Sequence, residues 1–380
     1  MIPFNKPYIT GKEADYIYDA VATGKISGNG TYTKNCQLFF ETKYGFKKTL
    51  LSTSCTDALE MCALLLDIKE GDEVIIPAFT FVSTALAFVR QGAKIIFTDS
   101  RIDHPGIDED KIEMLITPRT RVIVVVHYAG VACNMDKIMD IAQKYNLYVV
   151  EDAAQAIDSF YINKNGISIP LGSIGNMGCF SFHETKNIQC GEGGMLAIND
   201  ERFIKRAEII WEKGTNRAEF FRGEINKYGW VDIGSSFLPS DILSAFLYAQ
   251  IENLDSIQQK RKFIWNCYYE KLKPLAENLC FKLPYLPEYS TNNAHMFYLI
   301  CNSLEERSDL LTFLKKNNIM AVFHYQSLHK SEYYKDKYKG PELVNADNYS
   351  DRLVRLPLYF ELSDRDINFI INKIYEFYER

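Results

Sequence analysis

Three stretches of the sequence carry side chains of the types that cofactor chemistry uses. "VVEDAAQ" places Asp152 where an apolar run stops, with Gln155 three residues later, and "SFHETKNIQCGEGG" places Lys186 between an apolar run and several glycines. "LSTSCTDALEMCALLL" places hydroxyl groups, including that of Thr56, before an apolar helical pattern. Taken singly, each has an ordinary explanation, because Asp152 and the hydroxyls suit helix N-caps and Lys186 suits a solvated loop.

In combination, the three stretches indicate a more specific chemistry. A lysine can form a Schiff base with pyridoxal 5′-phosphate (PLP), a carboxylate can hold the protonated pyridine nitrogen, and the start of a helix can bind the phosphate. The three stretches are far apart along the chain, so this chemistry requires a fold that brings them to one place.

Apolar, β-branched runs alternate with helical patterns from about residue 50 to 200. This alternation predicts parallel βαβ units, with helices covering both faces of the sheet. The predicted strands are 72–79, 93–99, 120–128, 146–152 and 177–182. In such α/β sheets, ligands bind at the carboxyl ends of the strands, which is where Asp152, Ser181 and Lys186 fall.

The sequence changes character after about residue 240. A long helical pattern covers 240–275, and mixed apolar runs with a final amphipathic helix follow it. We therefore predict a large, mostly parallel-sheet α/β domain over residues 1–245 and a smaller C-terminal α+β domain over 246–380, hinged by the long helix. The N-terminal segment is a candidate for packing on the smaller domain.

The bulk composition excludes several classes of protein. The 380 residues are 47% hydrophobic and 24% charged, with a formal net charge of −6 and no dense basic tract. A mildly acidic chain of this kind does not indicate nucleic-acid binding. The first residues lack a basic and apolar leader, and no apolar run approaches the length of a membrane span. We therefore expect a cytoplasmic protein without membrane association.

The nine cysteines and six histidines show no metal-ligand spacing, so no metal site is expected. Several cysteines lie in apolar runs, which favours buried reduced thiols over disulfides or zinc ligands. Among the histidines, His104 lies in a polar turn and is expected to be solvated. His127 and His295 adjoin apolar strands and are expected to be structural.

The motifs together resemble those of a known family. "VEDAAQA", "CFSFHETKN" and "GEGG" are similar to the DegT/DnrJ/StrS family of PLP-dependent sugar-nucleotide aminotransferases. The likeness runs over nearly the whole chain, through "IPFNKP", "PAFTFVSTA", "HYAGVAC", "EKGTNR" and "AVFHY". It implies the fold type I architecture of aspartate aminotransferase, with PLP as the cofactor. It also implies a homodimer, because family active sites are assembled from two subunits.

The resemblance implies a role for each matched position. Lys186 is similar to the Schiff-base lysine, Asp152 to the partner of the pyridine nitrogen, and Gln155 to the residue beside the ring O3′ oxygen. The cofactor phosphate would be contacted at a strand end and a helix start by Ser181, Cys55 and Thr56. Phe81 matches the aromatic position that stacks on the pyridine ring, with Phe79 as the alternative.

Two further groups of residues are candidates for ligand contact. Many family members carry a G-x-N-x-R-M pattern that reaches the phosphate of the neighbouring subunit. This chain has "GSSFLP" there, so Ser235 and Ser236 are the candidates for that contact. His183 lies inside the lysine motif, and His324 and His329 fall where the family's small domain approaches the sugar. These three histidines are candidates for contact with the substrate.

The resemblance extends to the substrates. The sequence is most similar to family transaminases that form dTDP-4-amino-4,6-dideoxygalactose. This similarity implies transfer from L-glutamate, which becomes 2-oxoglutarate, to dTDP-4-keto-6-deoxyglucose in deoxysugar and lipopolysaccharide O-antigen synthesis. A galacto product is favoured over a gluco product.

Three alternative functions stay open. One is a 3-aminotransferase acting on a dTDP-3-keto-6-deoxyhexose, which would use the same machinery. Another is a deoxysugar dehydratase of the same fold, but such enzymes carry histidine where Lys186 stands. The third is a non-catalytic ligand sensor, against which the intact set of Lys186, Asp152 and phosphate-binding residues argues.

Overall fold

The computed structural model describes residues 1–379. Its strands form where apolar, β-branched runs favour an extended backbone. In this part of the chain they are β1 (Lys48–Ser52), β2 (Glu73–Pro77), β3 (Lys94–Thr98), β4 (Thr120–Val126), β5 (Tyr148–Asp152), β6 (Phe160–Ile162), β7 (Ser168–Pro170), β8 (Met177–Ser181), β9 (Gly194–Ile198), β10 (Phe297–Ile300), β11 (Val322–Phe323) and β12 (Leu353–Leu356). The strands predicted from the sequence correspond to β2, β3, β4, β5 and β8.

The large sheet has seven strands in the order β1-β9-β8-β5-β4-β2-β3. β9 pairs antiparallel with both of its neighbours, whereas the successive pairs from β8 to β3 are parallel. β1 therefore runs in the same direction as β8. The carboxyl ends of β1, β2, β4, β5 and β8 consequently lie at one edge, where the register of β4 and β5 aligns Val126 with Asp152.

Helices between the strands cover both faces of this sheet, and others pack on a smaller C-terminal sheet. The α-helices of the described residues are α1 (Glu13–Ala22), α2 (Thr31–Tyr44), α3 (Cys55–Leu65), α4 (Val82–Val89), α5 (Met135–Tyr145), α6 (Ile204–Trp211), α7 (Arg217–Phe221), α8 (Asp241–Glu252), α9 (Leu254–Glu277), α10 (Leu304–Lys316), α11 (Val344–Arg352) and α12 (Asp364–Tyr378). Within the described residues, none of them combines the length and apolar character that crossing a membrane requires. All nine cysteines carry free thiols, and seven of them are buried.

Strand β4 shows how the sheet is buried on both faces. Val122 and Val124 pack in one apolar cluster with helix α3, while Ile123 and Val125 pack in a second cluster with helix α5. Successive side chains of a strand point to opposite faces of the sheet. A continuous run of valine and isoleucine therefore fits a sheet that has helices on both sides.

The C-terminal part of the chain forms a second, three-stranded antiparallel sheet in the order β10-β12-β11. Helices α9, α10 and α12 pack on it through Ile264, Leu310 and Ile370, which share an apolar cluster with Phe297. Tyr325 and Arg355 of this smaller body of sheet and helices line a cavity whose other side is formed by the large sheet and its loops.

The segment 240–275, predicted as one long helix, forms two helices. α8 ends at Glu252 and α9 begins at Leu254, because the backbone of Asn253 leaves the helical conformation. The side-chain amide of Asn253 donates to a carbonyl one turn earlier, at 2.9 Å. Asparagine competes with the helix for backbone groups in this way, which hydrophobic periodicity does not reveal. The boundary proposed at residue 245 lies inside α8.

The N-terminal residues lie against the smaller body. Ile2 forms a parallel bridge with Ile319, through hydrogen bonds of 2.7 and 3.0 Å to the flanking residues. The ring of Tyr8 stacks on Phe360 with centroids 3.8 Å apart. The first residues of the chain therefore form a strap across elements made from its last third.

Candidate active site

A cavity of about 470 Å³ opens at the edge where the parallel strands of the large sheet end. Parallel strands deliver their carboxyl-terminal loops to the same edge, so residues far apart in the sequence meet there. Of the residues proposed from the sequence, the cavity is lined by Lys186, Asp152, Gln155, Ser181, Cys55, Thr56, Phe81, His183 and His324.

Asp152, the last residue of β5, is held in one orientation by two donors. The hydroxyl of Thr84 in α4 donates to its carboxylate at 2.6 Å, and the backbone N–H of Ala154 donates at 3.2 Å. Burial raises the pKa of Asp152 above its ordinary value, and these hydrogen bonds act against the rise. The carboxylate is thus placed to receive a cationic group inside the cavity.

Gln155 connects the end of β5 to two other parts of the cavity wall. Its side-chain oxygen accepts the backbone N–H of Ala129 at 2.6 Å, and its amide donates to the hydroxyl of Tyr325 at 3.1 Å. Its backbone carbonyl accepts the side-chain amide of Asn293 at 2.8 Å. These contacts fix the Gln155 side chain at the junction of the two bodies.

Lys186 lies in the loop between β8 and β9, and the neighbouring residues anchor this loop. The backbone N–H of Lys186 donates to the carbonyl of His183 at 2.9 Å, which closes a tight turn. The next residue, Asn187, donates to Gln258 of α9 at 2.7 Å and lies 2.9 Å from the ring nitrogen of His295. The lysine is therefore presented by a rigid turn.

The amine of Lys186 is easier to deprotonate than an ordinary lysine. Burial lowers its pKa to about 8, and the positive charge of Arg355 acts in the same direction. The thiol of Cys55 and the carboxylate of Asp152 act in the opposite direction. A lysine with a lowered pKa can serve as a nucleophile and as a general base near neutral pH.

The first turn of α3 faces the cavity with unpaired donors. The hydroxyl of Ser54 caps the helix by accepting the N–H of Asp57 at 3.1 Å. The N–H groups of Cys55 and Thr56 precede the first intrahelical bonds and so have no carbonyl partner within the helix. The hydroxyl of Thr56 lies 2.7 Å from that of Ser83, which also lines the cavity. Amides and hydroxyls at a helix start suit a phosphate group.

The glycines after the lysine serve two different purposes. Gly191 has a φ of +80°, the left-handed conformation that a tight turn requires. Gly194 begins β9, and a Cβ there would overlap the backbone of Ser54 and Cys55. Glycine at position 194 therefore allows β9 to lie directly against the start of α3, where Ser181 adds a further hydroxyl to the lining.

Phe81 and Phe79 occupy different environments. Phe81, at the start of α4, lines the cavity with 54% of its surface exposed. Phe79 is fully buried and packs against Tyr128, Tyr325 and Tyr349. The ring of Phe81 is the one that a flat ligand in the cavity can contact.

Comparison with known proteins identifies the family. The sequence model of the DegT/DnrJ/EryC1/StrS aminotransferase family matches residues 7–375. The chain belongs to this family. It is 31% identical over 382 residues to the spore coat polysaccharide biosynthesis protein SpsC of Bacillus subtilis, with 98% of this chain and 96% of that protein covered.

Solved structures of sugar aminotransferases share the fold of this DegT/DnrJ/EryC1/StrS family member. The putative sugar aminotransferase Spr1654 from Streptococcus pneumoniae matches with a TM-score of 0.90 in its PMP-form and 0.89 in its PLP-form, at 26% and 27% identity. All of this chain is covered, with 99% and 98% of those chains. The protein is therefore a PLP-dependent sugar aminotransferase of fold type I, and the predicted fold, cofactor and enzyme class are confirmed.

The cavity of this aminotransferase has the donor set that PLP needs. Lys186 supplies an amine, and the first turn of α3 supplies N–H groups and hydroxyls for a phosphate. The carboxylate of Asp152 is buried, with a raised pKa, and a protonated pyridine nitrogen beside it would compensate its charge. The residues present thus fit the cofactor.

The candidate histidines differ in position. His183 and His324 line the cavity, and Nδ1 of His324 lies 2.8 Å from the hydroxyl of Tyr128. His329 is buried away from the cavity, with Nε2 3.5 Å from a carboxylate oxygen of Asp347. Of the three, only His183 and His324 are placed to meet a ligand in the cavity.

His104, expected to be solvated, is buried, so that prediction is wrong. Only 1% of its surface is exposed, and its Nδ1 accepts the N–H of Gly106 at 3.0 Å. Burial lowers the pKa of His104 to about 4. The turn that contains His104 covers the imidazole ring, because Ser100 before the turn and Ile107 after it pair in an antiparallel bridge. His127 and His295 are buried and hydrogen-bonded, as predicted.

Ser235 and Ser236 do not line the cavity of their own chain. Both are exposed at the surface. The carbonyl of the next residue, Phe237, accepts the N–H of Thr53 at 3.1 Å, just before α3 begins. The two serines therefore lie beside the segment that leads into α3, and their contact with a partner subunit's phosphate stays a prediction.

Sequence reasoning did not single out three residues that shape the site. Tyr325 and Arg355 line the cavity from the smaller body, and Thr84 holds Asp152. A signal existed for Arg355, because it is a charged residue in the apolar strand pattern "LVRLPL". Thr84 lies within an ordinary helical pattern, and nothing in its sequence context distinguishes it.

Proposed function

We propose that this aminotransferase moves the amino group of L-glutamate to carbon 4 of dTDP-4-keto-6-deoxyglucose. The products are 2-oxoglutarate and a dTDP-4-amino-4,6-dideoxy sugar, with the galacto configuration favoured. The observation that carries the proposal is the meeting of the Lys186 amine, the Asp152 carboxylate and the start of α3 in one cavity.

Lys186 is proposed to move the protons of both half-reactions. PLP, when bound, supplies the electron sink that stabilises negative charge at the substrate carbon. With the cofactor bound, the Lys186 amine would take the α-proton of glutamate as a general base and pass it on as a general acid. In the sugar half-reaction the amine would move a proton in the opposite direction and deliver it to carbon 4 of the sugar. With a pKa of about 8, the amine can act in both directions near neutral pH.

Asp152 and Gln155 are proposed to orient the cofactor ring. Asp152 holds a proton at the ring nitrogen, and its two donors keep the carboxylate pointed into the cavity. Gln155, fixed by Ala129 and Tyr325, is proposed to lie beside the ring O3′ oxygen. Preorganised groups of this kind need no rearrangement as charge develops.

The choice of sugar nucleotide rests on the resemblance of the sequence motifs to 4-aminotransferases of this family. Family membership and the likeness to structures named as sugar aminotransferases support a keto-sugar substrate. A 3-aminotransferase would use the same Lys186 and Asp152, with the sugar turned to present carbon 3. The two functions therefore differ in the product.

One experiment distinguishes these functions. The PLP-loaded enzyme is incubated with dTDP-4-keto-6-deoxyglucose and 15N-labelled L-glutamate. NMR then identifies the sugar carbon that carries the 15N amino group and the configuration of that carbon. We expect the 15N amino group on carbon 4, with the couplings of the galacto sugar. Label appearing only when a 3-keto isomer is supplied would establish the 3-aminotransferase instead. Conversion of glutamate without amination of any keto-sugar nucleotide would overturn the sugar assignment.

We also propose that two copies of the chain form a dimer with shared active sites. Apolar side chains beside the cavity are exposed in the single chain, including Phe81, Val82 and Leu86 of α4. Trp230 is 85% exposed, in the segment that leads to Ser235 and Ser236. Exposed apolar groups of this extent favour burial against another protein surface. A second copy would cover them and place its serines near the cofactor phosphate.

A further inference from the structure

The side chain of Asn187, the residue after Lys186, is the centre of a buried hydrogen-bond network. Its NH2 group donates to the side-chain oxygen of Gln258 at 2.7 Å and to the backbone carbonyl of Asn293 at 2.9 Å. Its oxygen lies 2.9 Å from Nδ1 of His295. None of the network residues Asn187, Gln258, Asn293 and His295 is more than 5% exposed. The turn that carries the lysine is therefore tied to three other side chains or backbone groups without the help of solvent.

The same network reaches the segment that carries Gln155. The NH2 group of Asn293 donates to the backbone carbonyls of Gln155 and Ile157, each at 2.8 Å. The side-chain oxygen of Asn293 accepts the backbone N–H of His295 at 3.0 Å. Gly130 leaves the space that this asparagine needs, because a Cβ there would overlap the Asn293 side chain. Asn293 and His295 thus connect the lysine turn to the segment that follows β5.

The surrounding groups determine which nitrogen of His295 carries a hydrogen. A backbone carbonyl only accepts hydrogen bonds, so Asn187 turns its NH2 group to the carbonyl of Asn293 and its oxygen to His295. The same orientation follows from the other side of the network. The carboxylate of Asp158 accepts the NH2 group of Gln258 at 3.3 Å, which leaves the Gln258 oxygen to face the NH2 group of Asn187. Nδ1 of His295 is therefore the donor to the Asn187 oxygen.

His295 is held as a neutral imidazole. Burial lowers its pKa well below the ordinary value, and the positive charges of Lys186 and Arg355 act in the same direction. With its single hydrogen on Nδ1, the ring adds no positive charge beside Lys186. A hydrogen on Nε2 instead would leave a lone pair of Nδ1 facing the oxygen of Asn187, and a buried hydrogen bond would be lost.

We propose that His295, as the neutral Nδ1–H tautomer, is a positioning residue for Lys186. The inference rests on the proposed role of Lys186 as the proton carrier of the reaction. His295 acts through Asn187, because its hydrogen bond holds the side chain that directly follows the lysine. An amine that moves protons must stay aligned with the reacting atoms, and a small displacement of its backbone costs rate. Ligand contacts made by other residues would be unaffected.

The tautomer can be observed directly in the apoprotein. In protein labelled with 15N-histidine, NMR shifts distinguish a ring nitrogen that carries hydrogen from one that has a lone pair. The signals of His295 are those that disappear in His295→Asn. We expect a hydrogen on Nδ1 and a lone pair on Nε2 at neutral pH. The reverse tautomer, or an imidazolium with both hydrogens, would overturn the inference without any measurement of activity.

Two substitutions separate the hydrogen bond from the ring that makes it. The side-chain nitrogen of asparagine can take the place of Nδ1, whereas that of glutamine extends to the place of Nε2. For His295→Gln we expect kcat about 10- to 100-fold lower, and for His295→Asn a kcat within about threefold of the unaltered enzyme. The KM for L-glutamate should change less than about threefold in both variants. Equal losses of kcat in the two, or a loss expressed in KM alone, would contradict the positioning role.

Two further readouts report the position of the amine. Capture of PLP by the apoprotein, followed by absorbance, should be about tenfold slower in His295→Gln and nearly unchanged in His295→Asn. With α-deuterated L-glutamate, the isotope effect on kcat should be larger in His295→Gln, because slower proton transfer then limits turnover. His104→Gln is the control, since His104 is 1% exposed and lies outside the cavity lining. It should lower the temperature of unfolding and change neither readout.

The outcomes separate this inference from the proposed function. A His295→Gln variant that is less stable but has normal PLP capture and a normal isotope effect would show that His295 is only structural. If the unaltered enzyme takes no amino group from L-glutamate, the proposed donor fails. The NMR spectrum and the rate of PLP capture would still decide the role of His295 in that case.

Discussion

At the scale of single residues, burial acts on Lys186 and Asp152 in opposite directions with the same result. It lowers the pKa of Lys186 to about 8 and raises the pKa of Asp152. Both shifts favour the neutral form, because a poorly solvated site penalises charge of either sign. The cavity thus holds an amine that loses its proton more easily than an ordinary lysine, next to a carboxylate whose ionised form a ring cation would stabilise.

The pKa of Lys186 predicts how the apoprotein captures its cofactor. Only the neutral amine attacks an aldehyde, and its fraction rises with pH until the pKa is passed. We expect the rate of covalent PLP capture, followed by absorbance, to rise up to pH about 8 and then level off. A model amine such as Nα-acetyl-lysine should keep rising to roughly pH 10. A protein profile that follows the model amine would contradict the lowered pKa.

Asp152→Asn is expected to retain cofactor and lose turnover. The amide cannot hold a positive charge at the ring nitrogen, so steady-state kcat should fall about 10²- to 10³-fold, as for other lost electrostatic groups. Thr84→Val removes one hydrogen bond to the carboxylate, and a loss of about tenfold should follow. Bound PLP, measured by absorbance, should persist in both variants. A loss below tenfold in Asp152→Asn would remove the residue from its proposed role.

The residues found from the sequence and those missed differ in one physical respect. Asp152 is the last residue of β5 and Lys186 lies in the loop after β8, and the parallel sheet alone determines that these strand ends meet. Whether Arg355 points into the cavity, or His104 folds inward, depends on packing between segments distant in sequence. A pattern of residue types can mark such a residue as unusual, as it does for Arg355, but it does not determine how the segments pack.

At the scale of elements, the junction of β9 with α3 controls the proposed phosphate site. The glycine at position 194 lets the strand touch the backbone of the first turn. Any displacement of that turn would move the N–H groups of Cys55 and Thr56 away from the phosphate.

Gly194→Ala is therefore expected to weaken PLP binding. The added methyl must push the backbone of the α3 start, so we expect about tenfold weaker binding, as other small misplacements of a site produce. We also expect a free energy of unfolding lower by about 1–3 kcal/mol, typical of overpacking. Spectral titration and urea unfolding measure the two. Gly229→Ala, where a Cβ would contact nothing within 4 Å, is the matched control. Equal behaviour of the two variants would contradict the close contact.

The elements themselves follow from the sequence to different degrees. The central strands could be predicted because their runs of valine and isoleucine are buried on both faces. The break between α8 and α9 could not, because the apolar pattern continues through Asn253 and a single side-chain hydrogen bond interrupts it.

At the scale of the whole molecule, the proposed dimer predicts that two inactive variants can restore each other. Lys186→Ala removes the amine from the site of its own chain. Ser236→Glu should repel the cofactor phosphate in the site of the partner chain. In a mixed dimer one site then carries both defects and the second carries neither. Random mixing should restore about one quarter of the unaltered activity, since half of the dimers are mixed.

The control for this experiment pairs Lys186→Ala with Asp152→Asn. Both residues line the cavity of their own chain, so every site in the mixture stays defective and no activity should return. Light scattering should show a dimer in each sample. A monomeric active enzyme would contradict the shared site, and a fully active Ser236→Glu dimer would contradict the role of that serine.

The strap formed by the first residues has a consequence for biosynthesis. Ile2 pairs beside Ile319, so the segment around Ile2 has no place to dock until the residues up to Ile319 have been synthesised and have left the ribosome. At typical translation speeds this delay is on the order of tens of seconds. In the folded chain the ring of Phe4 lies 4.6 Å from the guanidinium carbon of Arg355, and during that time this contact cannot form. The side of the cavity that Arg355 lines would thus be completed as one of the last events of folding.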